Sequence, residues 1–163
     1  MIGKKDKNKI KKERYKKMKI AIGCDHGAYD LKEHLKKHFD ETGVEYVDVG
    51  TYSKESVHYP VYAKEVCSMV QKGEVKYGIL LCSTGIGMSI AANKHKGIRA
   101  ALCGDCYSAK FTRLHNDTNV LCIGALVTGT GLATQIADIF LSTEFEGGRH
   151  QTRVDMVMEI EKL

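Results

Sequence analysis

No stretch of the 163 residues approaches the ~20 consecutive apolar residues that a membrane-spanning helix needs, so a helical membrane protein is excluded. The N-terminus lacks the apolar core of a signal peptide. The expectation is therefore a cytoplasmic protein whose cysteines (24, 67, 82, 103, 106 and 122) are reduced thiols. Cys103-Gly-Asp-Cys106 has the C-x₂-C spacing of zinc and redox sites, but no second such pair completes the four ligands of a structural zinc, and no metal is expected. There is no internal repeat, and no low-complexity stretch outside residues 1–17. Asn116-Asp117-Thr118 matches a glycosylation sequon that is idle without export.

What is present is unevenly charged. Residues 1–17 hold nine Lys/Arg against Asp6 and Glu13, a net of +7, so the rest of this chain of net charge +5 has a net of −2. A basic tail can attract nucleic acid. The body shows no such excess, so nucleic acid is not an expected partner, and residues 1–17 are expected to be a disordered extension ahead of one folded domain, 18–163. At 43% hydrophobic and 28% charged, the composition is that of a soluble globule.

Beyond the tail the chain alternates. Short continuous apolar runs at 18–24, 44–50, 77–82, 97–103 and 119–124 read as buried strands. Helical patterns fill 28–42, Pro60 to about Gly73, the stretch to Lys94, 107–115, 130–142 and 149–162. Strands alternating with helices predict a Rossmann-like three-layer α/β/α sandwich around a five-stranded parallel sheet. In such sheets ligands bind beyond the carboxyl ends of the strands.

The most loaded of those ends is `GILLCSTGIGMSIAANK`, Gly78 to Lys94. Gly85 and Gly87 let backbone approach a ligand, and the following helix aims free N–H groups at the loop, making a hole for an oxyanion. Neither a phosphate loop nor a dinucleotide fingerprint is present: no Lys-Ser/Thr follows, and Ile90 stands where a third glycine would be. A thiol beside such a hole, Cys82, has its pKa drawn down and suits a base, although a cysteine ending a buried strand can also be inert filler. Asp25 and His26 end the first strand as either a helix cap or a proton-transfer pair. His115 and Asn116 end a helix. Arg149 and Arg153, four apart, share a helical face that either clamps a phosphate dianion or faces solvent. The two glycines before Arg149 suggest a tightly fitting loop. A thiol base, an oxyanion hole, imidazoles and an arginine clamp are the parts that aldose–ketose isomerisation of a sugar phosphate requires.

The blocks `GCDHGA`, `GILLCSTGIGMSIAANK`, `GIRAAL`, `RLHNDTNVL` and `EGGRHQTRV` resemble the type B ribose-5-phosphate isomerases, a family with galactose-6-phosphate and allose-6-phosphate isomerase relatives. The resemblance runs from about Met18 to the C-terminus. It implies a homodimer or tetramer with sites shared between subunits, the His115-Asn116 pair coming from the partner chain, and no cofactor. By that similarity Cys82 moves the proton between C2 and C1. Thr84 and the loop Ser83, Gly85, Ile86 and Gly87 hold the enediolate. His115, with Asp25 nearby, opens the furanose ring; His26, Arg149 and Arg153 grip the phosphate, and Tyr59 lies in the substrate region. One branch of the family has a glutamate base at the position of Met88, which cannot accept a proton, so the cysteine branch is indicated. Leu126 replaces an arginine common in relatives, and His58 an aspartate. Ribose 5-phosphate is the expected substrate, with a six-carbon aldose phosphate as alternative and a non-catalytic sugar-phosphate sensor as a further one.

Overall fold

The computed structural model describes residues 18–163; the basic extension lies outside them. Five strands form one parallel sheet: β1 (Lys19–Cys24), β2 (Glu45–Asp48), β3 (Tyr77–Cys82), β4 (Ala100–Leu102) and β5 (Val120–Gly124), in the order β2-β1-β3-β5-β4. The helices are α1 (Tyr29–Thr42), α2 (Tyr59–Gln71), α3 (Ile86–Ala92), α4 (Cys106–Asn116), α5 (Thr130–Ser142) and α6 (Arg149–Glu159). Among the described residues no helix is long and apolar enough to cross a membrane.

Strand alternation explains the three layers. Ile20, Ile22, Ile79, Leu81, Leu121 and Ile123 face α1, α4 and α5, while Ala21, Leu80, Cys82 and Cys122 face α2 and α3. Both sheet faces are covered, which is why the strands read as unbroken apolar runs. The strand order places β1 and β3 side by side at the sheet centre, with β2 leaving to one side and β5 and β4 to the other. The tips of β1 and β3 are therefore a switch point, the place where open parallel sheets bind their ligands.

Two expected strands are shorter than their apolar runs. β4 begins only at Ala100, because Asn93 takes both hydrogen bonds of Ala100 and Asn119 receives the Arg99 N–H and donates to the Gly97 carbonyl. Side-chain amides thus stand in for a ladder partner at the sheet edge. β2 ends at Asp48, two residues before Gly50, whose φ of +98° breaks the extended run. Asp48 also receives the buried Lys32 ammonium from α1 (2.7 Å) and that of Lys36 (2.7 Å), so a fully buried lysine is paired rather than bare.

Candidate active site

β3 delivers Cys82 to the carboxyl edge of the sheet, in register with Gly124 of β5. The next residues turn back over β5: Leu126 N–H donates to Ser83 O and Ala125 N–H to Cys82 O. Gly85 holds the turn in the left-handed region (φ +76°), with Ile123 C and Gly124 N only 2.9 and 3.0 Å from where a Cβ would stand. A side chain is excluded on both counts. The N–H of Gly85 then points at the Cys82 Sγ, 3.1 Å away. The contact fixes the sulfur within the turn, facing the backbone of the following loop. The Ile86 N–H reaches Thr84 Oγ1 at 3.4 Å. Cys82 is 5% exposed in one chain, and neither of the two clefts described below reaches it.

Four further thiols are buried within the sheet layers. Burial pushes Cys24, Cys67 and Cys103 up to about 12 and Cys122 well above the usual thiol range, so all four are uncharged near neutral pH.

Asp25 and His26 follow β1 directly. Asp25 precedes the short 3₁₀ turn His26–Ala28, but its carboxylate makes no capping bond and its buried Oδ1 has no hydrogen-bond partner. The capping alternative for Asp25 is thereby removed; an acceptor held without a donor is poised for a ligand or a proton. Gly27 lies between the Asp25 carboxylate and the Ser83 hydroxyl, which brings the β1 and β3 loops together. His26 Nδ1 accepts the Val57 N–H at 3.2 Å, which in the neutral ring leaves the proton on Nε2. Tyr59, at the start of α2, packs its ring on Gly87, 2.9 Å from the place of a Cβ. Cys82, Ser83, Thr84, Gly85, Ile86, Gly87, Asp25, His26 and Tyr59 thus gather around one edge. His58 caps α2 without a side-chain bond, and Leu126 is 75% exposed beside this edge.

His115 and Asn116 are elsewhere. α4 runs antiparallel to the strands for eleven residues, roughly 16 Å, and carries them to the amino edge of the sheet. Within one chain His115 is therefore not near Asp25 or Cys82. Arg113, 2% exposed, fixes this end through Asp117 (2.9 Å) and Tyr77 Oη (2.9 Å), and Arg99, just ahead of β4, also binds Asp117 (3.0 Å). Asp117 takes φ +45° and caps the helix. Around His115 lies a cleft of about 660 Å³, lined by Arg99, Asn116, His150 and Arg153 among others, and a smaller groove of about 320 Å³ runs along α4 past Tyr107 and Phe111. Arg149 opens α6 one turn before Arg153, and both are exposed.

Sequence reasoning missed three features here. His150 stacks face to face on His115 (4.0 Å, 7°), and Glu146 approaches both rings at 3.7 Å. Burial, then His115 and Arg149, hold the His150 imidazole below its ordinary pKa, so it is neutral near pH 7. The pair His34 and His38, spaced H-x₃-H, meets Thr134 (3.1 Å) and Asp138 (2.8 Å) on α5. Gly147 and Gly148 are not a tight fit: nothing lies within 4 Å of either missing Cβ, and their role is the positive φ of +69° and +56°.

Residues 20–157 match the model of the family described as Ribose/Galactose Isomerase. A protein of Escherichia coli (strain K12), Ribose-5-phosphate isomerase B, is 52% identical over 144 residues, covering 88% of this chain and 97% of that one. The Galactose-6-phosphate isomerase subunit LacB of Clostridium acetobutylicum is 40% identical over 79% of this chain and 75% of its own. The solved structure of Clostridium thermocellum Ribose-5-Phosphate Isomerase B superposes with a TM-score of 0.88 at 50% identity, over 89% of this chain and 98% of that one.

Proposed function

The chain belongs to the ribose/galactose isomerase family and is an aldose–ketose isomerase; from that premise we propose that it interconverts ribose 5-phosphate and ribulose 5-phosphate with Cys82 as the base. The observation that carries the reading is the Cys82 sulfur at the β3 tip with an amide N–H on it and the unpartnered Asp25 carboxylate beside the adjoining loop. The two more similar of the named relatives, at 52% and 50% identity, are ribose-5-phosphate isomerases and support the pentose over the hexose of the 40% identical LacB.

In the proposed reaction an imidazole relays the anomeric hydroxyl proton to the ring oxygen and the furanose opens to the aldehyde. The Cys82 thiolate takes the C2 proton, and the C2 electron pair forms the enediolate with charge on O1. O1 gains a proton as O2 loses one, and the thiol returns its proton to C1, giving the 2-ketose. Every proton passes between sugar and side chains, so the steps balance without an added cofactor. The loop of Ser83 to Gly87 receives the enediolate charge at an edge that the second copy closes to water, where such donors count for most.

A second copy of the chain completes the site. His115, Asn116, Arg149 and Arg153 lie toward the amino edge, out of reach of Cys82 in one chain. Ile86, Ile90, Leu102, Tyr107, Leu126 and Val127 are large apolar side chains at least 43% exposed around the β3 tip, the kind of patch a partner covers. A twofold dimer can present the His115 end of one copy to the Cys82 edge of the other, with His26, Arg149 and Arg153 on the phosphate. The six free cysteines support a reducing compartment, the cytoplasm.

The six-carbon alternative has its own support: Leu126 removes a cation and leaves an apolar surface at the edge of the site. Turnover of ribose 5-phosphate, allose 6-phosphate and galactose 6-phosphate by the purified chain tests the reading. The expected result is the highest kcat/KM on ribose 5-phosphate; a higher value on either hexose phosphate overturns the substrate, and no turnover of any overturns the enzyme in favour of a sensor.

A further inference from the structure

His115, Glu146 and His150 each offer one ligand atom, and these atoms lie within 4.8 Å of one another. Glu146 Oε2 is 3.7 Å from the Nε2 of either ring, too far for a hydrogen bond. Nitrogen and carboxylate oxygen bind Zn²⁺ at about 2.0–2.2 Å, so neighbouring ligands around a tetrahedral ion sit roughly 3.3–3.5 Å apart. The two Glu146–nitrogen distances are thus a few tenths of an ångström wider than in a filled site, and the third separation is at most 4.8 Å. His150 is 4% exposed and its buried Nε2 has no hydrogen-bond partner. A buried ring nitrogen with no hydrogen-bond partner is open to a ligand.

The chain builds this cluster deliberately. The Glu146 N–H donates to Leu114 O (3.1 Å), which pins its loop beside His115. The two positive-φ glycines then reverse the chain so that His150, the second residue of α6, faces back toward Glu146. From these observations we propose that His115, Glu146 and His150 form a binding site for a divalent transition-metal ion such as Zn²⁺. Two imidazoles and a carboxylate select Zn²⁺, Co²⁺ or Ni²⁺ over Mg²⁺ and Ca²⁺. The stacked rings must splay for both nitrogens to face one ion. His150 is fixed by burial, whereas His115, with 35% of its side chain exposed, tilts. The adjoining cleft admits water to the remaining coordination position. Arg149 and Arg153 nearby moderate the affinity for a cation.

Occupation of this site withdraws the His115 imidazole from proton transfer, so the ion inhibits turnover. That consequence rests on the ring-opening role proposed above; the binding itself does not. Co²⁺ titration of the full chain, followed by its visible absorption, tests the site. The wild type is expected to give a saturable visible spectrum, and Glu146→Gln and His150→Gln each to weaken binding about tenfold or more. No saturable spectrum, or the same spectrum and affinity in both variants, overturns the site, the latter by assigning the ion to cysteine. Should His150→Gln fail to fold, Glu146→Gln, on an exposed loop residue, decides alone. The same titration read by ribose 5-phosphate turnover is expected to show inhibition over the binding range, relieved in Glu146→Gln. Binding without inhibition would leave the site standing and remove His115 from ring opening.

Discussion

One sulfur at the tip of β3 bears most of the proposed chemistry, and Cys82→Ala isolates it. Removing a general base costs about 10²–10⁴-fold in rate. Cys82→Ala is therefore expected to lower kcat on ribose 5-phosphate by that range with KM within a few-fold. Steady-state kinetics check it, and a comparable rise in KM with kcat retained would make the sulfur a packing residue. Arg153→Ala, by contrast, is expected to raise KM mainly, by about ten- to a hundredfold for the loss of a charge-assisted contact. Cys82 stood out in the sequence because its signal is local: an apolar run, a thiol and a glycine turn within eight residues. Glu146 and His150 gave no such signal. Their meaning depends on a loop meeting the end of a helix 31 residues upstream, and no spacing rule encodes that approach.

At the scale of the elements, two devices shape the carboxyl side of the sheet. The first is the turn from β3 into α3, where Gly85→Ala combines a strained φ with contact against the β5 backbone. The expected cost is about 1–3 kcal/mol, measured by urea denaturation, with turnover lowered as the N–H on Cys82 moves away. The second is Asp48, which anchors α1 to the end of β2. Burial alone would raise its carboxyl, but hydrogen bonds from Lys32 and Lys36 and the Gly50 N–H hold it below the usual carboxylate range. A depressed folded pKa contributes stability that is fully present above the unfolded value of about 3.9 and is lost as pH falls through the folded value. Asp48→Asn is expected to flatten that acid limb and, by leaving the buried Lys32 with only the longer Glu33 pairing (3.5 Å), to cost about 3 kcal/mol near pH 7. Thermal melts from pH 3 to pH 7 check both; an unchanged acid limb would remove Asp48 as its source. The apolar runs made every strand and helix legible, since burial on both sheet faces leaves a continuous signature. The ends of β4 were not legible, because Asn93 and Asn119 reach them from other elements.

For the whole molecule, the account requires a site divided between two copies of the chain. The sequence pattern led to the sheet, the order of its helices and the Cys82 edge. It could not show that eleven residues of α4 carry His115 to the far side, which is a consequence of strand direction rather than of any motif. The resemblance to a family with shared sites supplied the expectation of a partner chain, which a mixing experiment can test. Mixing two inactive variants, Cys82→Ala and His115→Ala, after dissociation and reassociation tests the division directly. In a twofold dimer each hybrid carries one intact site and one doubly altered site. Random reassociation makes half the dimers hybrids, so the mixture should recover about a quarter of wild-type ribose 5-phosphate turnover. Recovery near that level is the predicted result. A mixture as inactive as its parents, with hybrid dimers demonstrably formed, would contradict the account.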